Sequence, residues 1–289
     1  MLRGRTVEVV ELVGGLTNRN FKVTTSEHAY VVRISDPGSG ALDIDRDNEY
    51  RNSIVAAASG VGAPVVDYLP DDSTLVIGFI EGRTLADDDF AAPGIIDGVA
   101  DACRRLHGGG RFDNDFDMFE IQRGYLDLVQ GRGYRLPEGY LDFGDSVARI
   151  RGALAGRQEP TVACNNDLLA GNFIHDGERI RLIDYEYSGN NDACFELGNI
   201  WSECHLTDEQ LEHLVVAYFG RRLRNKIART KLLGLMSQYG WTLWASIQEA
   251  TSDIEFPFWP WGLEKYERAV ETFRGTELSR LVEDVQRAD

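Results

Sequence analysis

The chain has 289 residues, 43% hydrophobic and 27% charged, with 30 glycines and 8 prolines. That make-up fits an ordinary globular protein with a sizeable core and excludes disordered, fibrous and membrane-embedded classes. Its 30 basic and 47 acidic residues leave a formal charge of −17, a field that repels nucleic-acid phosphates and suits a cationic small molecule, or an anion neutralised by a divalent metal.

The opening of the chain alternates apolar and polar residues over 7–13, 21–25 and 29–35, with turn material between, which predicts an antiparallel meander. Residues 43–59 change to a helical period and open on aspartates, where a helix dipole favours them. Two further extended stretches, 64–69 and 74–79, complete a five-stranded sheet with one helix. From Ala91 the pattern is mostly helical, most clearly over 94–107, 143–156, 208–223 and 226–249. Only two short extended pieces interrupt it, one ending at Cys164 and the other before Glu186. The expected organisation is an N-terminal lobe over residues 1–81 and an α-rich C-terminal lobe over 82–289. Cys103, Cys164, Cys194 and Cys204 show no metal or disulfide spacing, and no apolar run is long enough for a signal or an anchor. Reduced thiols in a cytoplasmic protein are expected, with no membrane attachment.

The chemistry sits in the two loops that follow the extended pieces. Asp167 is followed five positions later by Asn172, the spacing of a kinase catalytic loop. Seventeen residues beyond Asp167, an apolar strand delivers Asp184 where a kinase places its metal-binding aspartate. A nucleoside triphosphate is held with Mg²⁺, a hard cation that takes oxygen ligands. Asn172 and Asp184 supply such oxygens, and Asp167 is left to accept the proton of an attacking hydroxyl.

The first region supplies the rest of a nucleotide site. In Gly14-Gly15-Leu16-Thr17-Asn18, small residues let backbone N–H groups approach phosphate, and Thr17 and Asn18 add side-chain donors. Arg33 stands at the end of an apolar strand, where a kinase presents its phosphate-binding lysine, and Glu49 on the next helix is its expected partner. Ile80 and Glu81 fall at the expected hinge, in reach of an adenine edge by position alone.

Taken together, GGLTN, VVRIS, DIDRDNE, NNDLLAGNF, LIDYEYSGNN and FELGNIWSE resemble the choline and ethanolamine kinase family, a branch of the aminoglycoside-phosphotransferase-like kinases, over roughly residues 10–275. The resemblance implies a two-lobed, protein-kinase-like α+β fold. It also implies Asp167 as catalytic residue, Asn172 and Asp184 as metal ligands, Arg33 with Glu49 as the phosphate-facing pair, and Tyr187 near the acceptor. Two positions depart from the family pattern: Asn165 stands where the family has histidine, and Glu196 where it has aspartate.

The C-terminal part is rich in aromatic residues, among them Trp241, Trp244, Phe256, Phe258, Trp259 and Trp261. Trp241 and Trp244, three apart on a helix, resemble the pair that lines the family's choline pocket, and aromatic faces are how quaternary ammonium groups are held. A packing seam is the competing reading of the same spacing. Glu186 and Glu203 would add negative potential beside the cation, whereas the histidines, His107 included, carry no ligand spacing. The expectation is an ATP- and Mg²⁺-dependent kinase acting on the hydroxyl of choline. Ethanolamine, thiamine or an aminoglycoside is the alternative acceptor, and a non-catalytic nucleotide- or amine-binding module is the alternative class.

Overall fold

The computed structural model describes residues 6–12, 15–35, 42 and 44–288. The expected meander is β1 (Glu8–Leu12), β2 (Asn18–Thr24) and β3 (Ala29–Ser35), followed by α1 (Arg46–Ala58), β4 (Val65–Leu69) and β5 (Thr74–Gly78). The five strands form one antiparallel sheet in the order β1-β2-β3-β5-β4. Along β3 the period of two turns Arg33 and Ser35 inward and leaves Ile34 exposed. Helix α1 begins at Asp45, whose carboxylate accepts from Asn48 N at 3.0 Å, and its buried face carries Glu49, Asn52, Ser53 and Ala56. A helix with so polar a buried face packs against charged partners, and those partners are at the site.

The remaining chain is mostly helical: α2 (Ile95–His107), α3 (Met118–Arg132), α4 (Gly144–Ala155), α5 (Ala193–Glu203), α6 (Asp208–Phe219), α7 (Arg224–Thr251), α8 (Phe258–Arg274) and α9 (Glu277–Asp284). Helix α7 is buried from Ala228 to Gln248 and packs against α3, α5 and α8, its leucines and tryptophans interleaved with buried polar side chains such as Gln238, Thr242 and Gln248. Its approach to α5 depends on glycine: a Cβ at Gly234 would lie 2.8 Å from the Gly198 carbonyl oxygen.

Short strands set the two functional loops side by side. The two extended pieces expected from sequence are β7 (Thr161–Cys164) and β9 (Ile180–Leu182), and β6 (Arg83–Thr84), β8 (Phe173–His175) and β10 (Gly189–Asp192) join them. Strand β8 pairs with β6 and β9, and β7 pairs with β10 so that Cys164 faces Gly189. The loop leaving β7 and the loop entering β10 therefore start from adjacent residues.

Candidate active site

The loop after β7 is held from below. Glu196 on α5 accepts the backbone N–H groups of Asn165 and Asn166 at 2.8 and 2.7 Å, and Asn199 Oδ1 accepts that of Leu168 at 2.6 Å. The Asn165 amide donates to the carbonyls of Ile183 and Asp184 at 3.1 and 2.6 Å and accepts from Asp167 N at 3.1 Å, which laces the loop to its neighbour. Asn166, in the left-handed region at φ 69°, donates to the carbonyls of Cys164, Tyr187 and Gly189. The fully buried Asn165 thus performs a bracing task that needs no titratable group. His107, to which the sequence assigned no role, belongs to this support: its Nε2 lies 3.5 Å from Glu196 Oε1 and its Nδ1 2.7 Å from the Tyr218 hydroxyl. His107, Cys164 and Glu196 bring ligand-capable atoms within 4.8 Å of one another, a convergence that their sequence spacing does not reveal. All four cysteines are buried free thiols.

Asp167, Asn172 and Asp184 converge on one cavity wall. Asn172 Nδ2 donates to the Asp167 carbonyl at 2.7 Å, which leaves Oδ1 as its oxygen donor. Asp184 adopts φ 64°, in the left-handed region that Asp tolerates better than most residues other than glycine. Burial, reinforced by Asp184, Glu203 and Glu186, raises the Asp167 pKa well above the usual carboxylate range, a direction that makes its anion a stronger base.

Arg33 and Glu49 pair as expected, Nη1 to Oε1 at 2.6 Å, and Arg33 also forks onto Asp184 with both contacts at 2.7 Å. Burial alone would lower the Arg33 pKa, but Asp184 and Glu49 outweigh it and keep the guanidinium firmly charged. Arg46 carries the network onward, from Glu49 at 2.7 Å to Glu186 at 3.0 Å. Glu186 in turn accepts from Thr17 Oγ1 at 2.7 Å and Asn18 Nδ2 at 2.8 Å. Thr17 and Asn18, expected to face phosphate, are thus also bound to the second functional loop. Gly14 lies outside the described residues. At Gly15 the chain is tight, since a Cβ there would lie 2.6 Å from the Asn18 carbonyl oxygen.

Two cavities meet at these residues. A cleft of about 380 Å³ between the sheet and the short strands is lined by Gly15, Val31, Arg33, Ile80, Asn172 and Asp184, among others. Ile80 faces it, whereas the Glu81 side chain is exposed and lies 3.7 Å from Lys22. A smaller cavity of about 80 Å³ adjoins it, lined by Asp167, Asn172, Asp184 and Glu186 on one side, by Tyr187, Trp241, Trp244 and Trp261 on another, and by Gly15, Leu16 and Thr17.

The aromatic wall is tightly built. Trp244 Nε1 donates to the Tyr187 hydroxyl at 2.7 Å, Trp241 meets Tyr187 edge-on at 4.9 Å between ring centroids, and Trp261 meets Trp244 at 5.5 Å. In the sequence Trp261 is one of many aromatics; its place in the wall follows from α8 packing on α7. Glu203 does not line the cavity. It forms a buried ion pair with Lys265 at 2.6 Å, and the same ammonium lies 4.0 Å over the Trp261 ring. The negative potential expected from Glu203 is therefore largely neutralised by Lys265, and that of Glu186 is shared among three donors.

Residues 9–218 match the choline/ethanolamine kinase family. A choline/ethanolamine kinase family protein from Mesorhizobium loti is 32% identical, with 99% of this chain and 95% of that one covered at a TM-score of 0.87. Ethanolamine kinase 1 of Mus musculus is 27% identical over 300 residues, 88% of this chain and 80% of that protein. The choline kinase LicA of Streptococcus pneumoniae shares the fold, with a TM-score of 0.78 at 24% identity over 92% of this chain and 94% of that one. Among the described residues, no helix is long and apolar enough to cross a membrane.

Proposed function

The chain belongs to the choline/ethanolamine kinase family, whose members phosphorylate an alcohol group, and we propose that this member transfers the γ-phosphoryl of ATP to the hydroxyl of choline with Mg²⁺. The nucleotide occupies the cleft lined by Arg33 and Ile80, its phosphates directed toward Gly15 and the Arg33 guanidinium. Asn172 and Asp184 fit a hard cation, because they offer an amide oxygen and a carboxylate on the shared wall of both cavities. Bound there, Mg²⁺ would neutralise phosphate charge. Asp167 accepts the hydrogen bond of the choline hydroxyl, aligns its oxygen with the γ-phosphorus and takes the proton as the new O–P bond forms and the bond to the ADP oxygen breaks.

The observation that carries choline is the pairing of Glu186, Glu203 and Asp184 near the aromatic wall, which leaves Asp167, assigned to the hydroxyl, as the pocket's remaining carboxylate. Glu186 already accepts from Thr17, Asn18 and Arg46, Glu203 is neutralised by Lys265, and Asp184 is forked by Arg33. A primary ammonium needs acceptors for three N–H donors, whereas a trimethylammonium needs apolar and aromatic faces, which Tyr187, Trp241, Trp244 and Trp261 supply. The relatives include proteins named for ethanolamine, which makes ethanolamine the competing acceptor. Steady-state phosphoryl transfer with Mg²⁺ and ATP over a panel of choline, ethanolamine, thiamine and an aminoglycoside tests the reading. The highest kcat/KM is expected for choline, and transfer to none of the four contradicts catalysis.

A further inference from the structure

The turn between β1 and β2 borders both cavities. Gly15 lines the nucleotide cleft and the aromatic pocket alike, while Leu16 and Thr17 line the pocket alone. Glu186 holds this turn through Thr17 and Asn18, and a second anchor comes from α7. Gln248 Nε2, on α7, donates to the Leu16 carbonyl at 3.1 Å. Gln248 is buried, and it stands four residues beyond Trp244 and seven beyond Trp241, so all three share one face of α7. The Leu16 side chain packs against the core cluster that contains both tryptophans.

We infer that Gln248 is a positioning residue that couples the two substrates: through the Leu16 carbonyl it ties the nucleotide-facing turn to the helix carrying the acceptor's aromatic wall. The inference rests on the assignment of the cleft to nucleotide and of the pocket to the amine. A backbone carbonyl bonded to a buried amide has little freedom to reorient, so the turn cannot shift toward phosphate without moving the pocket wall formed by Leu16. In a cavity of about 80 Å³ a small displacement of that wall alters every contact the acceptor makes. Phosphate in the cleft meets the turn at Gly15, and the acceptor meets it at Leu16 and Thr17 in the pocket. Because the Gln248 bond makes the turn and the pocket wall move together, a ligand that favours one position of the turn favours the same position for the other ligand, which makes the coupling positive. Removing the Gln248 donor separates the turn from α7 without touching a group that contacts nucleotide phosphate or accepts the proton.

The test is a tryptophan-fluorescence titration with choline, with and without a non-hydrolysable ATP analogue and Mg²⁺, on the unsubstituted protein and on Gln248→Met, which keeps length and volume but has no N–H donor. The analogue should tighten choline binding about fivefold or more in the unsubstituted protein, within the usual range of coupling between sites, and by less than about twofold in Gln248→Met. In kinetics the variant should raise the choline KM with kcat little changed, its melting temperature staying near that of the unsubstituted protein. Equal coupling in both proteins, or none in an unsubstituted protein that binds both ligands, overturns the inference and leaves the proposed function standing. Failure of the unsubstituted protein to bind either ligand overturns both.

Discussion

Arg33 and Asp184 form a forked ion pair, Nη1 to Oδ1 and Nη2 to Oδ2, both at 2.7 Å. The guanidinium proposed to receive phosphate thus rests on the carboxylate proposed to hold Mg²⁺, with Glu49 supporting it from α1 at 2.6 Å. On the proposed reading, nucleotide and metal redistribute this charge as they bind, so the pair would set how readily the cleft is occupied.

Arg33→Lys should therefore raise the apparent KM for ATP about tenfold or more, because an ammonium is a point charge and cannot fork onto one carboxylate while touching another. A double-mutant cycle with Glu49→Gln, read as ATP affinity, should show coupling above about 1 kcal/mol for so buried a pair. Additive effects would mean that the contact does not shape nucleotide binding.

Asp167→Ala should lower kcat by roughly two to four orders of magnitude, the usual reach of a positioned base, while nucleotide affinity changes little, since Asp167 lines the acceptor pocket and not the larger cleft. Rapid-quench measurement of phosphoryl transfer separates chemistry from product release. A near-normal transfer rate would remove Asp167 from the proton path.

Trp244 contributes both a ring face and the hydrogen bond that fixes the Tyr187 hydroxyl. Trp244→Ala should weaken choline use about tenfold or more, since a desolvated aromatic face contributes ~1 to 2 kcal/mol to a quaternary ammonium. Trp244→Phe, which keeps a face and loses the donor, should fall between. Equal losses toward choline and ethanolamine in both variants would reduce the wall to core packing.

Helix α8, which carries Trp261 and Lys265, is also fastened at its surface. His205 lies 2.9 Å from Asp87 and 3.7 Å from Glu264. The proximity of Glu264, with the hydrogen-bonded Asp87, raises the His205 pKa, and the imidazole in turn pushes Glu264 down to about 2. The His205 contribution is complete below its ordinary value of 6.5 and fades as pH rises through the raised one. The Glu264 contribution is complete above its ordinary value of 4.5 and is lost as pH falls through about 2. His205→Asn, which suits the left-handed backbone at φ 51°, should destabilise the protein by less than about 1 kcal/mol at pH 6 and by almost nothing at pH 9. Urea unfolding at the two pH values checks this, and an equal difference at both would show that the ion pair contributes nothing.

Much of this was legible in the sequence because it is local. The meander shows a period of two, α1 opens on an aspartate cap, and the spacing of Asp167, Asn172 and Asp184 survives in one dimension because one loop carries the first two and the short hairpin of β8 and β9 leads straight to the third. The rest depends on contacts between distant residues, which leave no periodic trace. Nothing near Glu186 indicates that Thr17, 169 residues away, donates to it, and nothing near Glu203 indicates Lys265. Strands β8 and β10 span three and four residues, too short for alternation to show, and the asparagines of β10 read as turn formers. Trp261 was hidden among neighbouring aromatics that pack in the same segment, and His107 stands far in sequence from the loop support it touches.

The central claim, that aromatic faces and already paired carboxylates select a quaternary ammonium, is tested most directly by competition. Choline and ethanolamine at equal concentration in one tube, with limiting ATP and Mg²⁺, are followed by the amounts of the two phosphorylated products at early times. The account predicts phosphocholine in clear excess with the unsubstituted protein and a smaller excess with Trp244→Ala. Phosphoethanolamine formed as fast as phosphocholine would contradict it.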